Sequence, residues 1–216
     1  MREKVIERIV EDRIIVIARG MEEQLILPLA EALLAGGIGM MEITFNQNKP
    51  ETFDTTAKGI RSLQETFGEK LLVGAGTVIT LAQLELAKEA GALYIVSPST
   101  NTEIIKNTRK LGLVSLPGAM SPSECQTAYE AGADFIKLFP ASDLGTNYLK
   151  AIRAPLSHIK FLAVGGINEN NAAEFIKAGA SGLGIGGNLV NKDWIANAEW
   201  KKITEHAKKM VKAVQI

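Results

Sequence analysis

The stretch "AYEAGADFIKLF" (residues 128–139) decides how the rest of the chain is read. Its first half ends an amphipathic helix: Ala131-Gly132 places a small residue and then glycine at C′, where helices commonly turn left-handed. Its second half is a short apolar strand in which Lys137 stands among Phe135, Ile136, Leu138 and Phe139, with Pro140 closing it. Three other stretches repeat the design: "LLAGGIGMMEIT" (33–44), "AKEAGALYIVSP" (87–98) and "FIKAGASGLGIG" (175–186). Gly36, Gly91, Gly132 and Gly179 are the predicted C′ residues. They precede the second, fourth, sixth and eighth apolar runs, as in a barrel built from two-unit modules.

Eight β-rich runs alternate with helical stretches: 13–18, 40–45, 71–77, 93–98, 113–118, 135–140, 161–166 and 183–187. Strands and helices alternating at this spacing predict parallel βαβ units, and eight units predict a closed (β/α)₈ TIM barrel with lean loops. Helical spacing in "MREKVIERIVEDR" adds an N-terminal helix. The expectation is one barrel domain over residues 1–216, with no linker. An open doubly wound sheet is the alternative, but it more often carries a glycine fingerprint after its first strand, which "VIARGMEEQ" (16–24) lacks.

The 216 residues carry 24 Lys and Arg against 24 Asp and Glu, so no net field draws in nucleic acid or an anionic membrane. No apolar run approaches the ~18 to 20 residues of a membrane span, and the charged N-terminus is unlike a signal peptide. The lone Cys125 cannot pair within the chain and reads as a small buried hydrophobe in a reducing compartment. A cytoplasmic protein without nucleic-acid or membrane partners is expected.

Barrel chemistry gathers where strands finish. Strand side chains alternate faces, so an inward Lys137 takes Phe135 and Phe139 with it, and an inward Glu42 takes Met40 and Thr44. The opposite choice buries a lysine or a glutamate beneath the helices, which costs more. Both therefore point into the barrel near one rim. One reading is a buried ion pair that merely closes the barrel, but such pairs seldom repay their desolvation. The other is chemical. Apolar walls disfavour the charged amine and leave a neutral nucleophile for a carbonyl carbon. They also raise the carboxyl, so that it both gives and takes protons. Lysine and carboxylate together predict Schiff-base chemistry on a keto substrate. A metal route needs ligands such as histidines; the two present, His158 and His206, lie away from the strand ends, His206 reading as a solvated helix residue. No metal and no cofactor are expected.

The motifs "MEITF", "GAGTV", "IVSP", "LPG", "IKLFPA" and "GGI", in this order, resemble the 2-keto-3-deoxy-6-phosphogluconate (KDPG) aldolase family, which includes the 4-hydroxy-2-oxoglutarate (KHG) aldolases. The likeness runs from about residue 5 to about residue 190. It implies a homotrimeric class I aldolase of (β/α)₈ fold that cleaves a 2-keto-3-deoxy (phospho)sugar acid or 4-hydroxy-2-oxoglutarate. The products would be pyruvate and either glyceraldehyde 3-phosphate or glyoxylate. It puts the Schiff-base lysine on Lys137 and the acid/base glutamate on Glu42. Thr77 falls on a contact to the pyruvyl carboxylate, and Pro98 and Phe139 on an apolar wall, although both also fit ordinary barrel packing.

Three departures bear on the substrate. Asn46 stands where many members carry a carboxylate-binding arginine; Arg19 can supply that cation bidentately, or can pair with Glu22. Val164 and Gly187 stand where threonine and serine hydroxyls often meet phosphate. The doublets Gly165-Gly166 and Gly186-Gly187 can cradle an anion with backbone N–H groups, and equally occur as tight βα turns. The competing functions are a phosphate-binding barrel isomerase or decarboxylase, and a non-catalytic sugar-acid-binding barrel.

Overall fold

The computed structural model describes residues 1–215. Each of the eight apolar runs becomes a strand: β1 (Ile14–Ala18), β2 (Met40–Thr44), β3 (Leu72–Gly76), β4 (Tyr94–Val96), β5 and β6 (Val114–Leu116 and Gly118–Ala119), β7 (Ile136–Leu138), β8 (Phe161–Val164) and β9 (Gly182–Ile185). The fifth run counts twice because Pro117, with no N–H, interrupts the ladder between its halves. All pairings are parallel, in the order β5-β4-β3-β2-β1-β9-β8-β7-β6. The ring closes through the split stave. Val114–Leu116 pairs with β4 on one side, while the Ser115 and Pro117 carbonyls accept from Asp134 N–H (3.0 Å) and Lys137 N–H (2.9 Å) on the other. Closure removes the sheet edges and with them the doubly wound alternative.

The helices α2 (Glu23–Ala35), α3 (Phe53–Phe67), α4 (Leu81–Glu89), α5 (Thr102–Lys110), α6 (Pro122–Glu130), α7 (Ala141–Arg153), α8 (Ala172–Lys177), α9 (Lys192–Ala196) and α10 (Trp200–Val214) surround the ring. Among the described residues no helix is long and apolar enough to cross a membrane. Strand alternation sorts the core in two. Val16, Met41, Ile43, Ile136 and Leu138 pack on the helices, and Ile15, Met40, Leu72, Tyr94, Phe135 and Leu162 fill the barrel. The N-terminal helix α1 (Arg2–Asp12) sends Val5 and Ile9 into that inner cluster and so plugs the barrel's N-terminal end. Burying each of these side chains contributes roughly 1.5–3 kcal/mol.

The predicted helix stops hold at Gly91, Gly132 and Gly179, whose φ values are 90°, 103° and 102°. At each, the next residue's N–H reaches back into the helix, as Ala133 N–H does to Ala128 O at 3.0 Å. Gly36 is a correction. It keeps a right-handed φ of −88°, and Gly37, at 88°, is the left-handed residue. Gly36 is required for another reason: a Cβ there would come within 2.4 Å of the Ala207 Cβ on α10. Gly112 (φ 74°), before the fifth stave, closes α5 the same way, so the device is not confined to alternate units.

Candidate active site

Lys137 projects inward from β7 between Gly118 of β6 and Leu162 of β8, and is 7 % exposed. Glu42, on the inner face of β2, is 2 % exposed. Its carboxyl lies across β3: a Cβ on Gly76 would meet Glu42 Oε1 at 2.4 Å. Gly118 serves a similar purpose, letting the Pro98 carbonyl pass where a Cβ would stand only 2.2 Å away. Gly76 thus gives the carboxyl its room, and Gly118 lets the chain after β4 pass close to β6. Amine and carboxyl both face the barrel interior and feel each other's charge, yet no nitrogen–oxygen contact within 4.0 Å joins them. The closed ion pair of the bland reading is therefore not what the barrel builds.

The electrostatics follow from that separation. Burial pushes Glu42 up to about 7, against the opposing pull of the Lys137 and Arg19 cations. Burial likewise lowers the Lys137 amine, with Glu42 resisting and Arg19 assisting. Both groups are thus brought toward the neutral range, where an amine attacks and a carboxyl exchanges protons. A second consequence was not legible in the sequence. Glu42, Gly74 and Tyr94 are in register across three adjacent strands, and the Tyr94 ring lies over Gly74, where a Cβ would fall 2.2 Å from it. Burial first and the Glu42 charge second push its phenol well above the ordinary range, and its hydroxyl has no hydrogen-bond partner among the described residues.

A cleft of about 470 Å³ opens above the amine. Eight of the expected site residues line it: Lys137, Arg19, Pro98, Phe139, Gly165, Gly166, Gly186 and Gly187. Phe139 is 44 % exposed at the mouth rather than sealed in, and its ring centroid stands 5.1 Å from the Lys137 nitrogen. Among the described residues no carboxylate lies within ion-pair distance of Arg19, Glu22 included; Glu22 accepts from Gln24 Nε2. Its guanidinium is left for a ligand.

Glu42 lies beneath the cleft and does not line it. Thr77 stands to the side, at the end of β3, with a left-handed φ of 58°. Its carbonyl accepts from Gln47 Nε2 at 2.8 Å, and Gln47 in turn accepts from Gln83 Nε2 at 2.9 Å. Asn46 faces a separate hollow between α2 and α3, beside Lys49 and Thr56. Five lining residues were not among the expected ones: Ile17, Ile167, Asn168, Gly184 and Asn188. The two asparagines directly follow "GGI" and "GG", a polar residue just past each glycine turn, and that was the available signal. His206 is a second correction: its side chain is 14 % exposed and bonded to Asn188 Oδ1 at 3.0 Å. It follows the spacing of Ile203, Ala207 and Met210 on the buried side of α10. Among the described residues no three His, Cys, Asp or Glu side chains converge as metal ligands would.

Comparison with known proteins adds independent findings. Residues 5–206 match the family model described as KDPG and KHG aldolase. The chain is 35% identical over 177 residues to the 2-dehydro-3-deoxy-6-phosphogalactonate aldolase of Escherichia coli K12, covering 82% of this chain and 83% of that one. It is 34% identical over 192 residues to the 2-dehydro-3-deoxy-phosphogluconate aldolase of Treponema pallidum, covering 88% of each. The crystal structure of KDPG aldolase from Legionella pneumophila, with pyruvate captured as a covalent carbinolamine intermediate, superposes with a TM-score of 0.83 at 33% identity. That match covers 92% of this chain and 94% of the other.

Proposed function

The chain belongs to the KDPG and KHG aldolase family, and from that premise we propose that it is a class I aldolase in which Lys137 forms the Schiff base and Glu42 carries the protons. The observation that supports this most is a buried amine beneath an open cleft, with a buried carboxyl on the same inner wall and no ion pair between them.

The chemistry follows from the two groups. Neutral Lys137 adds to the C2 carbonyl of a 2-keto acid to give a carbinolamine. Protonated Glu42 gives its proton to the departing hydroxyl, water leaves, and the protonated imine forms. Glu42, now a carboxylate, removes the proton of the C4 hydroxyl. The C3–C4 bond breaks, its electron pair passes into the imine, and the C4 half departs as an aldehyde. The resulting enamine takes a proton at C3 from Glu42, and water hydrolyses the imine to release pyruvate and the free amine. A carboxyl pushed up to about 7 supports both halves of this exchange at neutral pH.

In this reading Arg19 and Thr77 hold the keto-acid carboxylate, Pro98 and Phe139 wall the imine, and the Gly165-Gly166 and Gly186-Gly187 turns receive the far end of the substrate. The left-handed φ values of Gly165 (99°) and Gly166 (70°) support a backbone cradle there. Residues 1–216 act as one barrel domain in a cytoplasmic homotrimer, for which the exposed apolar side chains Ile79, Leu81 and Met120 offer contact surface.

Pyruvate release is the assay. The wild type, given KDPG and 4-hydroxy-2-oxoglutarate in parallel, is expected to release pyruvate from at least one, and Lys137→Met from neither. A wild type inert on both rejects the aldolase reading; turnover by Lys137→Met rejects the lysine.

A further inference from the structure

The far end of the cleft is made by two loops, one after β8 carrying Gly165 to Asn168 and one after β9 carrying Gly186 to Asn188. Asn188 follows the strand two places from β7 in the sheet, and lines the same cleft as Lys137. A single side chain from the C-terminal helix touches both loops. His206 Nε2–H donates to Asn188 Oδ1 at 3.0 Å, and the same nitrogen lies 3.4 Å from Glu169 Oε2. The imidazole is backed by Trp194, with ring centroids 5.6 Å apart. Three segments remote in sequence thus meet at one ring.

The direction of these bonds matters. A primary amide has one acceptor and one donor end. With Oδ1 held by the imidazole, Asn188 has only its Nδ2–H donors to offer. They remain at the wall of the cleft that Asn188 lines. Packing alone does not call for this. An aliphatic side chain would fill the space against Trp194 without desolvating an imidazole.

We propose that His206 is a positioning residue for the substrate: it locks Asn188 so that the amide donates to an oxygen on the half of the keto acid that leaves as the aldehyde. The inference rests on the aldolase reading and names the group that holds the far end of that substrate. The oxygen belongs either to a phosphate or to a sugar hydroxyl, both acceptors of the same N–H.

The test uses His206→Leu, His206→Gln, Asn188→Ala and the His206→Leu/Asn188→Ala double variant. Each is assayed on KDPG and on its unphosphorylated counterpart, and by borohydride trapping with pyruvate, which occupies only the Lys137 end. His206→Leu is expected to raise KM about tenfold, as loss of one well-placed hydrogen bond does. Its kcat should stay within about twofold and its pyruvate trapping should match the wild type. His206→Gln, whose amide still donates, should recover part of the loss, and the double variant should be no worse than Asn188→Ala. A rise confined to the phosphorylated substrate assigns the oxygen to phosphate; a rise on both assigns it to a hydroxyl. An unchanged KM in His206→Leu, additive losses in the double variant, or loss of pyruvate trapping in His206→Leu would each overturn the positioning role. A wild type that neither traps pyruvate nor turns over removes the aldolase reading and this inference with it.

Discussion

Glu42 carries the sharpest consequences at the level of single residues. Its carboxyl, pushed up to about 7 in the barrel, ionises near its ordinary value of 4.5 once the chain unfolds. Between those values the folded state binds the extra proton, so stability falls as pH rises from about 4.5 to about 7 and stays lower above. Glu42→Gln removes that penalty. It is expected to be more stable than the wild type at pH 8 by an amount on the order of 3 kcal/mol, and to show little difference at pH 4. Urea melts at both pH values check this. In activity, the pH profile of kcat/KM should carry a limb near pH 7 that Glu42→Gln abolishes, with kcat down ~10²–10⁴-fold. Tyr94→Phe deletes a buried hydroxyl without a partner among the described residues, and is expected to leave stability unchanged or raise it by about 1 kcal/mol in the same melts. Lys137 and Glu42 were legible because a charge inside an apolar strand has to be accounted for. Tyr94 was not: an aromatic residue in a strand reads as packing, and only the register with Gly74 and Glu42 shows where its hydroxyl goes.

The helix stops decide how well the elements could be read. Gly91, Gly132 and Gly179 were placed correctly because each is the lone glycine directly after alanine, and the strand begins three or four residues on. In "LLAGGIG" two glycines compete, and the sequence does not distinguish the one that turns left-handed from the one that lets a helix approach. Substitution separates them. Gly37→Ala meets no atom of the described residues closer than 3.7 Å and should cost only the left-handed backbone, about 1–2 kcal/mol. Gly36→Ala drives a methyl to within 2.4 Å of Ala207 and 2.9 Å of the Thr204 carbonyl, and should cost more, on the order of 3 kcal/mol, as overpacking does. Thermal melts of the two variants give the order. The strands themselves were legible because each is a short apolar run between polar segments. The contact of His206 with Asn188 was not, because periodicity says which side of α10 is buried but not which loop lies over it.

Across the whole molecule the barrel separates stability from chemistry by end. Val5 and Ile9 of α1 seal the N-terminal mouth, and Lys137, Arg19 and the glycine turns occupy the C-terminal one. Ile9→Ala is expected to lower stability by about 2–4 kcal/mol while leaving KM unchanged below the unfolding temperature, which melts and kinetics on one preparation would show. The closed barrel was legible as a count of eight strand-helix units; closure through a stave broken at Pro117 is a detail of the hydrogen bonds that the count does not contain.

The central claim is that a buried, neutral amine on β7 bonds covalently to the keto acid. Borohydride reduction in the presence of pyruvate, followed by peptide mass spectrometry, tests it most directly. The expected result is one stable pyruvyl adduct, on Lys137, absent without borohydride. An active enzyme that comes through the treatment with Lys137 unmodified, or with the adduct on another lysine, would contradict it.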